Sequence, residues 1–372
     1  MKLACISASR VPSDTANSIQ AMKVCQALAQ TGQTVVLLVP GDPPPDAERR
    51  ELAARYGLST PFEMRWLPVG NRRLFPWSAV RKARRSGAGL VYAWPIQAAA
   101  LGLLAGLPAL LEMHDLPSGT FGPLWYRLFL ALPGKKRLLV ITRALQARLD
   151  RRYGTPRDVV IAPNGVDLER FAGLPGPEPA RRQLGLPAAL TVACTGHLYA
   201  GRGADLFLTL AQGLPQASFV WVGGRPEDVS AWQARALERG LQNVLFTGFV
   251  PNEKLPLYQA AADILLMPYG REIGISGGTG RSAEISSPMK MFEYLAAGRA
   301  ILTSDLPVLR EVLDESCALF CPPGDTHAWS AALEELIRDA NRRQALGQHA
   351  REAAKKYTWV ERARRSLEGF VG

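Results

Sequence analysis

The sequence predicts an α/β protein made of two Rossmann-like units, each a parallel sheet packed between helices. Three observations carry that prediction. Short apolar runs such as Leu3 to Ser7, Thr34 to Val39 and Leu90 to Ala93 alternate with stretches of helical periodicity, the pattern left by strands buried on both faces. At 372 residues, 47% hydrophobic and 21% charged, the chain is long enough to build two separate cores. Between the halves lies Gly-Leu-Pro-Gly-Pro-Glu-Pro at 173–179, a linker by composition. The expected boundaries are an N-terminal domain at 1–165, a linker at 166–189, a second domain at 190–356 and a terminal helix at 357–372.

Taken in order, Leu3 to Ser7 reads as a strand, because the apolar run before Ser, Arg and Pro is too short for a secretion signal. A helix from Ser18 to Gln30 follows, with Ile19, Met22 and Leu28 on one stripe, and Asn17 or Ser18 is suited to cap it. The turn before it lacks the Gly-x-Gly-x-x-Gly fingerprint, which argues against a nicotinamide dehydrogenase. After a Pro-rich loop and a polar helix, Glu63 to Leu67 is the next strand. From Arg72 to Arg85, six basic residues are interleaved with Leu74, Phe75 and Trp77. That mixture suits an anionic membrane surface, and equally a solvated helix with an aromatic ring tucked into the core.

The stretch Leu90 to Leu111 has bilayer-crossing length with Gln97 as its one strongly polar side chain. Trp94-Pro95 and Leu107-Pro108 divide it instead into a strand, a helix from Ile96 to Ala105 and a second strand from Ala109 to Glu112. His114 and Asp115 then stand at a carboxyl edge of the sheet, where ligands gather in such folds. Leu116 to Leu132 is aromatic and broken by Pro and Gly, and strands at Leu138 to Thr142 and Val159 to Pro163 close the first domain. In the second, strands are expected at Leu190 to Thr195, Ser218 to Val222, Asn243 to Phe246, Asp263 to Pro268 and Ala300 to Thr303. One more short strand and a long polar helix follow.

Lys and Arg outnumber Asp and Glu by 44 to 33, so the chain carries +11 and favours anionic partners. No recognised nucleic-acid module accompanies that charge, and nucleic acid is not the expected partner. Five cysteines without Cys-x-x-Cys spacing indicate neither a disulfide framework nor a zinc site, and fit a reducing cytoplasm. No Asp-x-Asp pair is present to hold Mg²⁺, so neither a metal nor a cofactor is expected.

The stretch Ser286 to Gly298 has both helix ends written in. Ser287 suits the N-cap, Pro288 the first helical position and Gly298 the left-handed stop. The amides of Met289 and Lys290 at such a start can hold a phosphate beside the Lys290 ammonium, and Glu293, one turn on, can accept two ribose hydroxyls. A capped amphipathic helix with a Lys290–Glu293 surface pair is the other reading of the same residues. The glycine-rich segment before it, with Gly277, Gly278 and Thr279, would bring further amides to this point.

Six ordered segments resemble the retaining nucleotide-sugar glycosyltransferases of family 4. They are Ala16-Asn17-Ser18-Ile19-Gln20, Glu112-Met113-His114-Asp115, Pro163-Asn164-Gly165-Val166-Asp167, Gly196-His197-Leu198 with Gly201-Arg202-Gly203, Gly248-Phe249-Val250, and the helix just described. The resemblance implies the GT-B fold, two Rossmann-like domains facing across a cleft, with a terminal helix that crosses back to the first. It implies transfer of a sugar, with retention, from a nucleotide diphosphate to a glycan or lipid-linked acceptor. The acceptor is expected on the first domain, with the protein cytoplasmic or peripheral at a membrane. Under it His114 contacts the transferred sugar, Asn17 and Ser18 form a phosphate turn, and Phe249 and Val250 face the base. The family's diphosphate-binding Arg and Lys fall on His197 and Arg202, beside Gly203. Of its two carboxylates seven residues apart, the second falls on Glu293 and the first on Ile285, one residue after Glu284. The missing carboxylate and the His197 departure leave a second reading open, a nucleotide-sugar-binding protein without turnover.

Overall fold

A computed structural model describes residues 1–68, 70–271 and 284–370. The first half of the chain runs β1 (Lys2–Ile6), α1 (Ala16–Gln30), β2 (Thr34–Pro40), α2 (Asp46–Tyr56), β3 (Glu63–Leu67), α3 (Phe75–Arg85), β4 (Leu90–Ala93), α4 (Ile96–Leu104), β5 (Ala109–Met113), α5 (Gly122–Ala131), β6 (Lys136–Val140), α6 (Arg143–Tyr153) and β7 (Val159–Ile161). These strands form one parallel sheet in the order β3-β2-β1-β4-β5-β6-β7. The second half runs α7 (Pro177–Leu184), β8 (Thr191–Thr195), α8 (Ala204–Gly213), β9 (Ser218–Val222), α9 (Pro226–Glu238), β10 (Val244–Phe246), α10 (Leu255–Ala261), β11 (Ile264–Met267), α11 (Met289–Ala297), β12 (Ala300–Ser304), β13 (Ala318–Cys321), α12 (Thr326–Arg338) and α13 (Ala340–Ala354). Its sheet, also parallel, has the order β10-β9-β8-β11-β12-β13. A last helix, α14 (Trp359–Leu367), packs on α1.

The chain divides into two compact units, Met1–Asn164 with Trp359–Gly372, and Gly165–Thr358. In each, the strand order turns around at one place, between β1 and β4 and between β8 and β11. Loops leaving the carboxyl ends there open a crevice in any doubly wound sheet. The strands are buried on both faces, as their uninterrupted apolar runs require: β4, β5 and β8 have no exposed residue. In the second unit Phe207 of α8 meets Phe219 and Trp221 of β9 edge-on, with ring centroids 5.3 and 5.2 Å apart, and so fixes the helix over the sheet.

Two elements differ from the sequence reading, and a third follows it. Residues 173–179 are not simply linker: Pro177 and Pro179 occupy the first turn of α7, where their missing N–H groups have no partner to lose. Ala180 of that helix is fully buried against Ala260 and Ala261 of α10. The long polar helix is two, α12 and α13, divided at Asp339, whose carboxylate accepts from the Arg342 amide at 2.8 Å and starts the second. The stretch from Leu90 to Leu111 is β4, α4 and the start of β5, and among the described residues no helix is long and apolar enough to cross a membrane.

Candidate functional site

In the second unit the loop from Gly196 to Gly203 leaves the end of β8 at the turnaround of the sheet. Gly203 sits at φ +84, and a Cβ on it would lie 2.1 Å from the Pro268 carbonyl oxygen. Only glycine lets the loop pass that close to the end of β11. The Gly270 amide, donating to Gly201 O at 2.8 Å, ties the two loops together. This contact delivers Arg202 to Tyr269: one Nη–H donates to the tyrosine hydroxyl at 3.1 Å, and the guanidinium carbon lies 5.2 Å from the ring centroid. The Nε–H of Arg202 finds no acceptor among the described residues.

Lys290 approaches the same ring, with Nζ 4.7 Å from its centroid. Its ammonium also donates to Thr195 O at 3.1 Å. The amide of Thr195 donates to the Tyr294 hydroxyl at 2.8 Å, so both backbone groups at the end of β8 are taken by side chains of α11. Two cations and the start of a helix are thereby gathered around a buried tyrosine whose face attracts positive charge. Glu293, one turn along α11, is held through Oε2 at 2.9 Å by Nε2 of Gln259, a fully buried residue of α10. The surface-pair reading of Lys290 and Glu293 therefore falls: the lysine is 9% exposed and serves Thr195, and the carboxylate has a different partner.

The cap of α11 is one residue later than the sequence suggests. Pro288, with ψ 126, is the cap residue and Met289 the first helical one, while Ser287 precedes them, buried. Ile285, where the family pattern has a carboxylate, is 4% exposed and belongs to the core, and Glu284 beside it is exposed. Gly277, Gly278 and Thr279 lie outside the described residues. His197 stacks flat on Tyr199, centroids 4.9 Å apart, with the Arg225 guanidinium 5.7 Å from the Tyr199 ring. Phe249 is 57% exposed, so its ring lies outside the core, and a bridge between Gly248 and Gly223 fastens its segment to the end of β9. Val250 beside it is half-buried.

In the first unit Asn17 is exposed in the opening turn of α1, and Ser18 is buried. Neither caps the helix: Thr15 holds the cap position, and the Ser18 hydroxyl donates back to Ser13 O at 2.7 Å. His114 follows β5 and keeps a quarter of its side chain exposed, with Nε2 2.7 Å from Glu112 Oε1. On α3 and the turn before it, Phe75 is buried while Leu74 and Trp77 are 59% and 53% exposed, beside exposed Arg72, Arg73, Arg81, Arg84 and Arg85.

A cavity of about 340 Å³ at the opposite, amino edge of the second sheet is lined by Arg299, Arg343 and Arg351. Those guanidiniums donate to Ala260 O, Leu336 O and Ala297 O at the ends of α10, α12 and α11, so they complete helices there. Burial first, then the neighbouring Arg351 charge, lowers Arg299 to about 10. Sequence reasoning missed Tyr269, Gln259 and Tyr294, which organise the cationic site. A lone aromatic after a strand and two polar residues in helices carry no motif.

Comparison with known proteins covers both units. The family model described as Glycosyltransferase Family 4 matches residues 18–170, and that described as Glycosyl transferases group 1 matches 189–339. A D-inositol 3-phosphate glycosyltransferase of Xylanimonas cellulosilytica is 29% identical over 248 residues, 63% of this chain and 56% of its own. A GDP-mannose-dependent alpha-(1-6)-phosphatidylinositol monomannoside mannosyltransferase of Mycolicibacterium smegmatis is 27% identical over 242 residues, 62% and 61% of the two chains. The matched regions thus span between half and two thirds of these curated relatives. Among solved structures, sucrose-phosphate synthase from Thermosynechococcus elongatus superposes with a TM-score of 0.74 at 18% identity, covering 99% of this chain and 98% of that one. Anabaena HepE in complex with UDP gives 0.76 at 16%, covering 99% of each. At those identities the structures speak for the fold alone, the two-sheet architecture known as GT-B.

Proposed function

We propose that this chain, which belongs to the family 4 glycosyltransferases, transfers a sugar from a nucleotide diphosphate to a hydroxyl acceptor with retention of configuration. The observation that carries the reading is the convergence of Arg202 and Lys290 on Tyr269 at the turnaround of the second sheet. When the bond from the anomeric carbon to the diphosphate breaks, its electron pair leaves with the phosphate oxygen, and the acceptor hydroxyl oxygen takes its place on carbon. The hydroxyl proton passes to the departing diphosphate. Negative charge grows on that leaving group, and preorganised cations beside helix-start amides stabilise it more than they stabilise the bound donor. Arg202 is the principal partner, since its fork matches phosphate oxygens. Glu293 receives the ribose, Phe249 and Val250 face the base, and His114 hydrogen-bonds a substrate hydroxyl. With two side-chain cations available, transfer requires no metal ion and persists in chelator.

Curated relatives act, by their names, on an inositol phosphate and on a phosphatidylinositol mannoside, and HepE was solved with UDP. A nucleoside diphosphate sugar and a glycan or lipid-linked acceptor are the corresponding substrates here. Exposed Leu74 and Trp77 among five exposed arginines give α3 and the turn before it the character of a surface that rests on anionic lipid. The deciding experiment is thermal shift and transfer against a panel of UDP-, GDP- and ADP-sugars. A donor at a hundred times its Kd raises stability by about 2.7 kcal/mol. Stabilisation by one donor with no release of its nucleoside diphosphate would favour binding without turnover. Flotation with anionic vesicles at low salt, lost in Arg81→Glu/Arg84→Glu/Arg85→Glu, tests the lipid surface.

A further inference from the structure

Within the first unit, at the end of β5, a carboxylate lies where the strand is otherwise apolar. Glu112 is 2% exposed, and its Oε1 accepts from Arg362 Nη2 at 2.6 Å and from Gln20 Nε2 at 2.5 Å, while Oε2 takes the Tyr92 hydroxyl. Arg362, on α14, is itself 4% exposed, and its Nε donates to Pro163 O at 2.9 Å and Nη1 to the Tyr92 hydroxyl at 3.3 Å. His114 Nε2 stands 2.7 Å from the same Oε1. Burial by itself would favour the protonated acid; the Arg362 charge, with the hydrogen bonds of His114 and Tyr92, overrides it and brings Glu112 down to about 2.

An ionised carboxylate can only accept, so the atom facing it must carry a proton. In a neutral imidazole that leaves the lone pair on the other nitrogen. We infer that Glu112, paired with Arg362, is a positioning residue that fixes His114 as the Nε2–H tautomer and presents Nδ1 to accept a hydrogen bond from a substrate hydroxyl. The quarter of the His114 side chain left exposed is the part that can meet a ligand. Arg362 is the second positioning residue, because without it the buried carboxylate would lose the charge that keeps it an acceptor. The inference rests on the reading of His114 as a substrate contact, and it adds a direction: His114 accepts from the hydroxyl and does not donate to it.

The ring ¹⁵N resonances of His114 in the unliganded protein, identified by their loss in His114→Gln and recorded where imidazole is neutral, report the tautomer without any need for activity. The proton is expected on Nε2, with a bare Nδ1. In the paired variant Glu112→Gln/Arg362→Met, which removes both buried charges together so that neither is stranded, the amide can turn either end to the ring and the tautomers mix. A wild-type ring protonated on Nδ1, or a tautomer unchanged in the paired variant, overturns the inference. If the paired variant does not fold, the wild-type spectrum still decides. With a donor in hand, the paired variant should lose about tenfold to a hundredfold in kcat while nucleoside diphosphate affinity stays put. Adding it to His114→Gln should cost nothing further, and an additive loss would mean that the network does not act through His114. Failure of every nucleotide sugar to react would count against the proposed function and leave the tautomer result to stand by itself.

Discussion

The two units share one order over six strands, the first adding β7 at its edge, and they put opposite chemistry at the carboxyl edge. The first buries a carboxylate and neutralises it with an arginine drawn from 250 residues away; the second gathers two cations on a tyrosine with no carboxylate paired to either in the contacts described above. One arrangement is a buried ion pair with a histidine against it. The other sets two cations on an aromatic face, where the proposed function puts the diphosphate. Topology fixes where a site can open, and the side chains at the turnaround decide what it does.

The largest way to break this contrast is to open the closed side. Arg362→Met takes the counter-ion from the buried Glu112, which must then either stay charged without a partner or take up a proton, and should lower stability by about 3 to 5 kcal/mol in a urea titration. Acid does the same work from the other end. Glu112 has a folded pKa of about 2 against an ordinary 4.5, so its contribution is complete above about 4.5 and is lost as pH falls toward 2. That loss is on the order of 3 kcal/mol, and Glu112→Gln/Arg362→Met should abolish this part of the pH dependence. On the cationic side, Arg202→Ala should reduce kcat on the order of a hundredfold with little change in stability. A change confined to KM would assign it to ground-state binding. Smaller still, Glu293→Gln should weaken nucleoside diphosphate binding by about 1 to 3 kcal/mol in calorimetry. Phe249→Ala should cost about 1 kcal/mol in the same measurement and nothing in stability, because the ring is already in solvent.

How much of this could be read from the chain follows from how local each signal is. The strands were legible because burial on both faces writes an unbroken apolar run. Gly203 and Arg202 stood out through the family's loop pattern, and Lys290 through a helix start with a compact signature. Residues 177–184 were misread because proline density marks linkers and first helical turns alike. Arg362 was invisible for a different reason. It lies in Trp-Val-Glu-Arg-Ala-Arg-Arg, where three arginines look equivalent, and only its place on the buried stripe with Trp359, Ala363 and Leu367 sets it apart. Glu112 had a signal that was passed over, an acid inside an otherwise apolar strand, a position that asks for a partner. Tyr269 had none, since what matters is the two cations that separate loops and helices bring to its ring.

The return of α14 to the first unit has a consequence for biosynthesis and for chimera building. The second unit, Gly165–Thr358, is an insertion within the other, whose Glu112 has no counter-ion until residue 362 has left the ribosome. The inserted unit can complete its core during synthesis, whereas the N-terminal sheet must wait with a carboxylate unpaired, so the half made first is the half finished last. An exchange of the second unit between related enzymes accordingly has two seams, after Asn164 and before Trp359. A chimera joined at the first seam alone would import a foreign last helix, and it would keep its N-terminal fold only if that helix carried a guanidinium to the same depth.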